Sequence, residues 1–218
     1  MQRIVVINVK GGCGKTTIST NLASYYACKG KKTALYDYDP QASSMRWVSV
    51  RRRGEKSPEI FNVAAFREPR RVTKSWQLKL PPDTERIIVD TPPSLKGLDL
   101  IDQVKGANVI LIPVLPSSID MFATADFVRD LLLGAKTRSN NIRIAIIANR
   151  IKKNTNSLAA LERFLNTLNI PVIAHLRDAQ SYIQATEKGL GVHELEFQKN
   201  DEDSVHWASI YNWLENIE

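Results

Sequence analysis

The sequence predicts an α/β fold in which a mostly parallel, twisted sheet is covered by helices on both faces. Its 218 residues, 43% hydrophobic and 24% charged, fit a single globular domain spanning 1–218. Short apolar runs alternate with longer helical stretches, which is typical of strand–helix–strand units. The runs are rich in Val and Ile and apolar on both faces, as in strands buried between two helical layers.

Each apolar run is predicted as a strand and most segments between them as helices. Gly30 is well placed to end the first helix, and Pro171 opens a strand after a helix. Strands are expected at 3–8, 33–36, 60–66, 86–89, 108–115, 142–148 and 171–175. Helices are expected at 15–29, 42–53, 69–79, 97–105, 120–136, 156–168, 179–187 and 204–217.

Nothing in the sequence indicates export or a membrane span. The longest apolar run, 109–115, is far shorter than the roughly 20 residues that cross a bilayer. The N-terminus enters a strand at once, without the basic and apolar regions of a signal peptide. Cys13 and Cys28 form neither a metal-ligand spacing nor a disulfide framework. We therefore expect a cytoplasmic protein.

The net charge of +7 is unevenly distributed. Residues 46–79 contain ten Lys or Arg and three acids, whereas 201–218 contain no Lys or Arg. A clustered basic region suggests a polyanionic partner, most simply nucleic acid. Taken alone, the charge is slightly better explained by a solvated face.

The stretch after the first strand has the composition of a phosphate-binding loop: Gly11, Gly12, Cys13, Gly14, Lys15, Thr16 and Thr17. Glycines let backbone N–H groups converge on phosphate oxygens, and the N-terminus of the following helix adds partial positive charge. In such loops the lysine reaches the β- and γ-phosphates and the hydroxyl binds Mg²⁺. Strand, glycine loop and helix in this order predict a P-loop NTPase.

The loop departs from the usual pattern, G-x-x-x-x-G-K-[ST], at its start. Val9 stands where that pattern has glycine, and a second lysine, Lys10, follows it. On the residues alone, Lys10 could simply point to solvent beside the loop.

Carboxylates follow two of the predicted strands. Asp90 ends a hydrophobic strand, at the position where an Asp holds the metal of a nucleotide site. Asp37 and Asp39 come at the end of the second strand. Because open α/β sheets bind ligands beyond the carboxyl ends of their strands, these acids and the glycine loop are expected at one Mg²⁺–nucleotide site.

These motifs resemble those of the ParA/MinD family of deviant Walker ATPases, and the order D-P-Q after the second strand resembles its ParA branch. The resemblance runs almost end to end. It rests on K-G-G-C-G-K-T-T at 10–17, D-Y-D-P-Q at 37–41, I-I-V-D-T-P-P at 87–93, P-V-L-P-S-S-I-D at 113–120, I-A-N-R at 147–150 and G-L-G-V-H-E at 189–194.

The resemblance implies a role for the second lysine. Lys10 corresponds to the family's signature lysine, which reaches across a dimer to phosphates bound by the other subunit. It would act as an arginine finger does in trans, by placing a cation where charge accumulates in phosphoryl transfer. ATP would then be held between two chains, and the homodimer would form only with ATP.

The resemblance also assigns roles to other residues, one by one. Asp39 corresponds to the acid that orients the attacking water, and Asp37 and Asp90 to acids near Mg²⁺. Thr17 corresponds to a phosphate-contacting hydroxyl. The remaining matches are Asn149 and Arg150 in the segment that contacts adenine, and Pro116 and Asp120 in the loop flanking the nucleotide.

Three features separate this chain from other branches. Metal-carrying relatives use cysteines beyond the loop, whereas Cys28 falls inside a predicted helix. MinD-type relatives end in a membrane-binding helix, but the stripe Trp207, Ile210, Leu214 and Ile217 is accompanied by acids, so it is expected to pack on the domain. No N-terminal helix-turn-helix precedes the first strand.

The chain therefore resembles small ParA proteins, which bind DNA without sequence preference through backbone contacts. Either of two basic regions could contact DNA, and 51–53 could instead face an adaptor protein. The cluster at 46–79 is one region. The other candidates are Arg150, Lys152, Lys153, Arg177 and Lys188.

We thus expect a cytoplasmic, nucleoid-associated ATPase that positions a cargo with a ParB-like or cargo-adaptor partner. The cargo could be a plasmid, a chromosome region, a carboxysome or a chemosensory cluster. One alternative is a MinD-like regulator acting on a membrane or a protein. Another, a small-molecule kinase or synthetase, is disfavoured by the D-P-Q motif.

Overall fold

Seven strands form the sheet in the computed structural model, which describes residues 1–54, 57–67, 80–134, 141–195 and 202–216. The strands are β1 Gln2–Val6, β2 Thr33–Asp37, β3 Phe61–Ala64, β4 Arg86–Asp90, β5 Val109–Val114, β6 Arg143–Ile151 and β7 Val172–Arg177. They lie in the order β3-β2-β4-β1-β5-β6-β7, and every neighbouring pair is parallel.

Helices connect most of these strands. They are α1 Lys15–Cys28, α2 Ser43–Arg51, α3 Gly97–Val104, α4 Ser118–Gly134, α5 Asn156–Asn166, α6 Gln180–Glu187 and α7 Glu202–Glu215. Short 3-10 turns occur at Ala65–Arg67 and Val192–Glu194. The helix predicted at 69–79 lies outside the described residues. None of the helices that the structure describes is long and apolar enough to cross a bilayer.

The predicted fold class is confirmed, and each predicted strand is present. The largest difference is in β6, which runs to Ile151 rather than to residue 148, so Asn149 and Arg150 belong to the strand. The pairing with β7 shifts register between Ala148 and Ile151, and Arg150 has φ +53° there. The prediction stopped at the first polar residues because an irregular strand end has no alternating pattern.

The core consists of two layers because alternate side chains of each strand point to opposite faces of the sheet. In β1, Ile4 and Val6 join a layer with α1, α2, α6 and α7, and Val5 joins a layer with α3, α4 and α5. Burying each of these aliphatic side chains stabilises the folded state by roughly 1.5–3 kcal/mol relative to leaving it exposed. Burial on both faces explains why the strands are almost continuously apolar.

The aromatic stripe of α7 packs on the domain, as the sequence predicts. Trp207, Ile210 and Leu214 are at most 1% exposed and lie in the first of these layers. Tyr25 of α1 stacks on Tyr211 with ring centroids 3.4 Å apart. Ile217, the last member of the predicted stripe, lies outside the described residues.

Candidate nucleotide site

The glycine loop connects β1 to α1 at the carboxyl edge of the sheet. Gly12 has φ +74° and Gly14 has φ +99°, left-handed conformations that glycine adopts without strain. Gly14 is the residue immediately before α1, and a Cβ there would collide with the side-chain amide of Asn149. Glycine at position 14 is thus required both by the turn and by the neighbouring strand.

The side chain of Lys15 folds back over the loop. Its Nζ donates to the backbone carbonyls of Asn8, at 3.1 Å, and Lys10, at 2.8 Å. Lys15 is only 7% exposed. These contacts hold the ammonium group at the centre of the loop, where it can meet a phosphate that the loop amides bind.

Two buried carboxylates lie side by side at the carboxyl ends of β2 and β4. Asp37 and Asp90 are paired in register between β2 and β4. The Thr16 hydroxyl donates to Asp90 Oδ2 at 2.8 Å, and Asp37 accepts the backbone N–H groups of Asp39 and Met45 at 2.9 and 3.1 Å. The first turn of α1 and the start of α2 are therefore both tied to these acids.

Burial, with a smaller contribution from the charge of Asp37, raises the pKa of Asp90 to about 7, although the hydrogen bond from Thr16 opposes the shift. Burial likewise raises the pKa of Asp37. Asp90 Oδ1 is buried and, among the residues that the structure describes, has no hydrogen-bond partner. Two neighbouring buried carboxylates repel each other when both are ionised. A bound cation would compensate their charge.

The donors at this point fit Mg²⁺. They are a hydroxyl from Thr16 and carboxylates from Asp37 and Asp90, and Mg²⁺ prefers such oxygen ligands. Asp39 is placed differently, because it is half-buried in the loop before α2, where its carboxylate accepts the N–H of Gln41 at 2.9 Å. The structure thus separates the two acids of the D-Y-D motif.

Asn149 ties β6 to the glycine loop. Its side-chain amide donates to the carbonyl of Cys13 at 2.8 Å, and the residue is 6% exposed. Burial raises the pKa of the Cys13 thiol, which is 1% exposed, so the thiol stays protonated and acts as a small packing group. Arg150 beside it is exposed, and Thr17 is half-buried in the first turn of α1.

Lys10 does not point freely into solvent. Its Nζ lies 3.4 Å from Asp120 Oδ1 at the start of α4, and its side chain is 33% exposed. Asn8, which the sequence reasoning missed, supports this region: its amide donates to the Pro113 carbonyl at 2.8 Å, and its Oδ1 accepts the Lys10 N–H. The sequence feature that could have indicated this role is the position of Asn8, a polar residue between an apolar strand and the glycine loop.

The predicted DNA contacts fall on different parts of the surface. Arg150, Lys152 and Lys153 are exposed where β6 leads into α5, whereas Lys188 is exposed at the end of α6. Arg177 Nε lies 3.0 Å from Asp203, so its charge is already compensated. In the basic cluster at 46–79, Lys56 and the stretch 68–79 lie outside the described residues.

Arg51 has to be removed from the proposed surface cluster at 51–53. Its side chain is 2% exposed and forms an ion pair with Glu194, while Arg52 and Arg53 are exposed. Arg51 shares one face of α2 with Trp47 and Val48, which are buried. A helical reading of that face could have indicated its burial.

Cys28, His193 and Glu194 place one ligand atom each within 4.8 Å of one another. Glu194 is already occupied, however, because it accepts from Arg51 and from the N–H of Gly191. Burial, followed by the charge of Glu194, raises the pKa of Cys28 to about 11. This group is accounted for by the Arg51 ion pair and not by a metal.

The chain is similar to known proteins in sequence and in fold. One relative is the maintenance of carboxysome distribution protein A of Halothiobacillus neapolitanus, 28% identical over 88% of this chain and 87% of that protein. Apo McdA of Cyanothece superposes with a TM-score of 0.76 at 17% identity, over 98% and 99% of the two chains. A putative plasmid partition protein of Borrelia burgdorferi B31, bound to AMPPNP, gives 0.75 at 18% identity, over 99% of each chain.

Residues 4–192 match the family described as CobQ/CobB/MinD/ParA nucleotide binding domain. The match spans the glycine loop, both strand-end acids and Asn149. The chain therefore belongs to the ParA/MinD nucleotide-binding family.

Proposed function

We propose that this protein is an Mg²⁺-dependent ATPase that switches between a monomer and an ATP-bound homodimer. The observation that carries the proposal is the meeting of Lys15, Thr16 and the two buried carboxylates at one end of the sheet, with a second lysine, Lys10, at the edge of the same loop. In this proposal, Lys15 serves the nucleotide of its own chain and Lys10 serves the nucleotide of a partner subunit.

The residues divide the chemistry among them. Loop amides and Lys15 bind the phosphates, Asn149 and Arg150 flank the adenine, and the side chains of Thr16, Asp37 and Asp90 hold Mg²⁺. When bound, Mg²⁺ would neutralise charge on the phosphates. Asp39, closer to the surface than Asp37, orients the attacking water. Lys10 of a partner subunit would place a positive charge where negative charge accumulates during phosphoryl transfer.

We further propose that the ATP-bound dimer binds DNA without sequence preference and positions a cargo, with a partner protein that stimulates hydrolysis. The exposed side chains of Arg150, Lys152 and Lys153 could contact the phosphate backbone of DNA near the nucleotide site. The likeness to a carboxysome distribution protein and to a plasmid partition protein supports such a role. A membrane target is less well supported, because the apolar stripe of α7 is buried.

The DNA part is tested with purified protein and non-specific duplex at low salt. We expect binding that requires ATP and Mg²⁺ and that weakens steeply as salt rises. Liposomes of anionic lipid are the parallel arm. Binding to liposomes and not to duplex would replace the DNA proposal with the membrane alternative.

The dimer part is tested by light scattering on the Lys10→Ala variant. We expect it to bind ATP but to remain monomeric and inactive, while Lys152→Ala, on the same edge of the sheet, dimerises normally. If Lys10→Ala dimerises and hydrolyses ATP as well as the wild type does, the trans role of this lysine is wrong.

A further inference from the structure

The segment Gly189–Glu194, here called the 189–194 turn, contacts both helices that begin at the nucleotide site. On the α1 side, the Val192 N–H donates to Asn21 Oδ1 at 2.8 Å, and the Asn21 amide donates to the Thr17 carbonyl at 2.8 Å. A Cβ on Gly191 would overlap Ser24, so the turn lies directly against this helix.

On the α2 side, the turn is held by a buried arginine. Arg51 donates to the Gly189 carbonyl at 3.1 Å and to both oxygens of Glu194 at 2.8 and 3.0 Å. Its Nε donates to the Pro58 carbonyl at 3.1 Å. Trp47, one helical turn earlier, donates to the Leu190 carbonyl at 3.3 Å.

The opposite end of α1 carries one of the proposed metal donors, and the opposite end of α2 contacts another. Thr16 lies in the first turn of α1, and the Met45 N–H near the start of α2 donates to Asp37. Metal sites tolerate errors of only about 0.5 Å in the placement of their ligands. The 189–194 turn, which joins the middle of α1 to the second half of α2, is suited to keeping Thr16 and the Asp37 carboxylate in register.

A buried ion pair is weak evidence for stability, because desolvation offsets most of the attraction. Arg51 is 2% and Glu194 13% exposed, so both charges have been taken largely out of water. Two apolar side chains of similar volume would serve packing equally well. Apolar side chains could not replace the directional hydrogen bonds of the Arg51 guanidinium, which connect α2 to Gly189 and Glu194 of the turn.

We infer that Arg51 and Glu194 are positioning residues for the Mg²⁺ site: through the 189–194 turn they fix α2, whose Met45 N–H holds the Asp37 carboxylate, relative to α1 and Thr16. The inference rests on the proposed Mg²⁺–ATP site. It assigns a task to a residue that sequence reasoning placed in a surface cluster.

The test replaces the pair by Arg51→Met with Glu194→Met and measures binding of a non-hydrolysable ATP analogue at increasing Mg²⁺. We expect the Mg²⁺ concentration for half-maximal tight binding to rise about tenfold, as for other losses of support behind metal ligands. Binding in EDTA and the thermal midpoint should stay near the wild-type values. The matched control is Arg86→Met with Glu215→Met, which removes an ion pair between β4 and α7.

A folded double variant with wild-type Mg²⁺ dependence overturns the inference. If the double variant does not fold, Trp47→Phe keeps the aromatic packing, loses the bond to Leu190, and should shift the Mg²⁺ dependence in the same direction by less. A wild-type shape of that curve for Trp47→Phe also counts against the inference. A wild-type protein that binds the analogue without regard to Mg²⁺ overturns the proposed function, and this inference with it.

Discussion

The ammonium group of Lys10 lies 3.4 Å from the carboxylate of Asp120 in the same chain. If Lys10 serves the phosphates of a partner subunit, this ion pair has to open before the dimer closes. Asp120 is the more buried member, with 14% of its side chain exposed. The pair therefore holds the lysine beside its own loop in the monomer.

Asp120→Asn should strengthen ATP-dependent dimerisation. A partly exposed pair contributes roughly 0.2–1 kcal/mol, and two pairs open per dimer, so we expect a gain of roughly two- to thirtyfold. Sedimentation or light scattering at several protein concentrations measures it. Asp126→Asn, further along α4 and paired with Arg129, is the control. Weaker dimerisation of Asp120→Asn would mean that Asp120 acts in the dimer itself.

Gly14→Ala should destabilise the protein and abolish nucleotide binding. The new Cβ meets Asn149, and φ at this position is +99°. Adding Asn149→Ala removes the collision but not the backbone strain, which costs on the order of 1–3 kcal/mol. Thermal unfolding of both variants separates the two causes. Full recovery in the double variant would show that the collision alone forbids a side chain.

Stability without metal should fall as the pH rises towards 7. The pKa of Asp90 is about 7 in the folded protein and near 4 when unfolded, so the folded state binds the extra proton between these values. Its contribution is full below about pH 4 and is lost as the pH passes 7. Asp90→Asn should remove this loss. In EDTA, we expect the thermal midpoint of Asp90→Asn, relative to that of the wild type, to rise between pH 5 and pH 8.

Asp39→Ala should bind ATP and Mg²⁺ yet hydrolyse ATP at least about a hundredfold more slowly, because a positioned acid typically contributes that much or more. Asp37→Ala should instead weaken Mg²⁺-dependent binding, since Asp37 is buried beside Asp90. Nucleotide binding and phosphate release, measured separately, distinguish the two. Identical defects in both variants would contradict the separation of roles.

Replacing Lys152 and Lys153 together by alanine should weaken DNA binding equally for all sequences. The slope of log affinity against log salt should fall by about one for each phosphate that the protein no longer neutralises. Lys188→Ala tests the other surface. Lys188 directly follows α6, and the adjacent Gly189 lies against the end of α2. Binding assays from low to moderate salt measure the slopes. A weakening confined to Lys188→Ala would move the DNA-binding surface to that end of the molecule.

The sequence by itself predicted the α/β class, the strands and the loop chemistry, because each has a local signature. Buried strands show as runs of Val and Ile, and the glycine loop followed by a helix indicates phosphate binding. Strand-end acids such as Asp37 and Asp90 were predicted to meet because parallel strands end at the same edge. The structure places them side by side, paired in register between β2 and β4.

Only the tertiary structure decided which side chains meet across long stretches of chain. Asn149 reaches the carbonyl of Cys13, Lys10 pairs with Asp120, and Arg51 enters the interior to bind Glu194. The helical pattern of α2 could indicate that Arg51 is buried, but it gives no sign of the acceptors, Gly189 and Glu194, which lie 138 and 143 residues later in the chain. Local propensity carries no information about such partners, because a buried charge is tolerated only where folding has assembled its counter-charge.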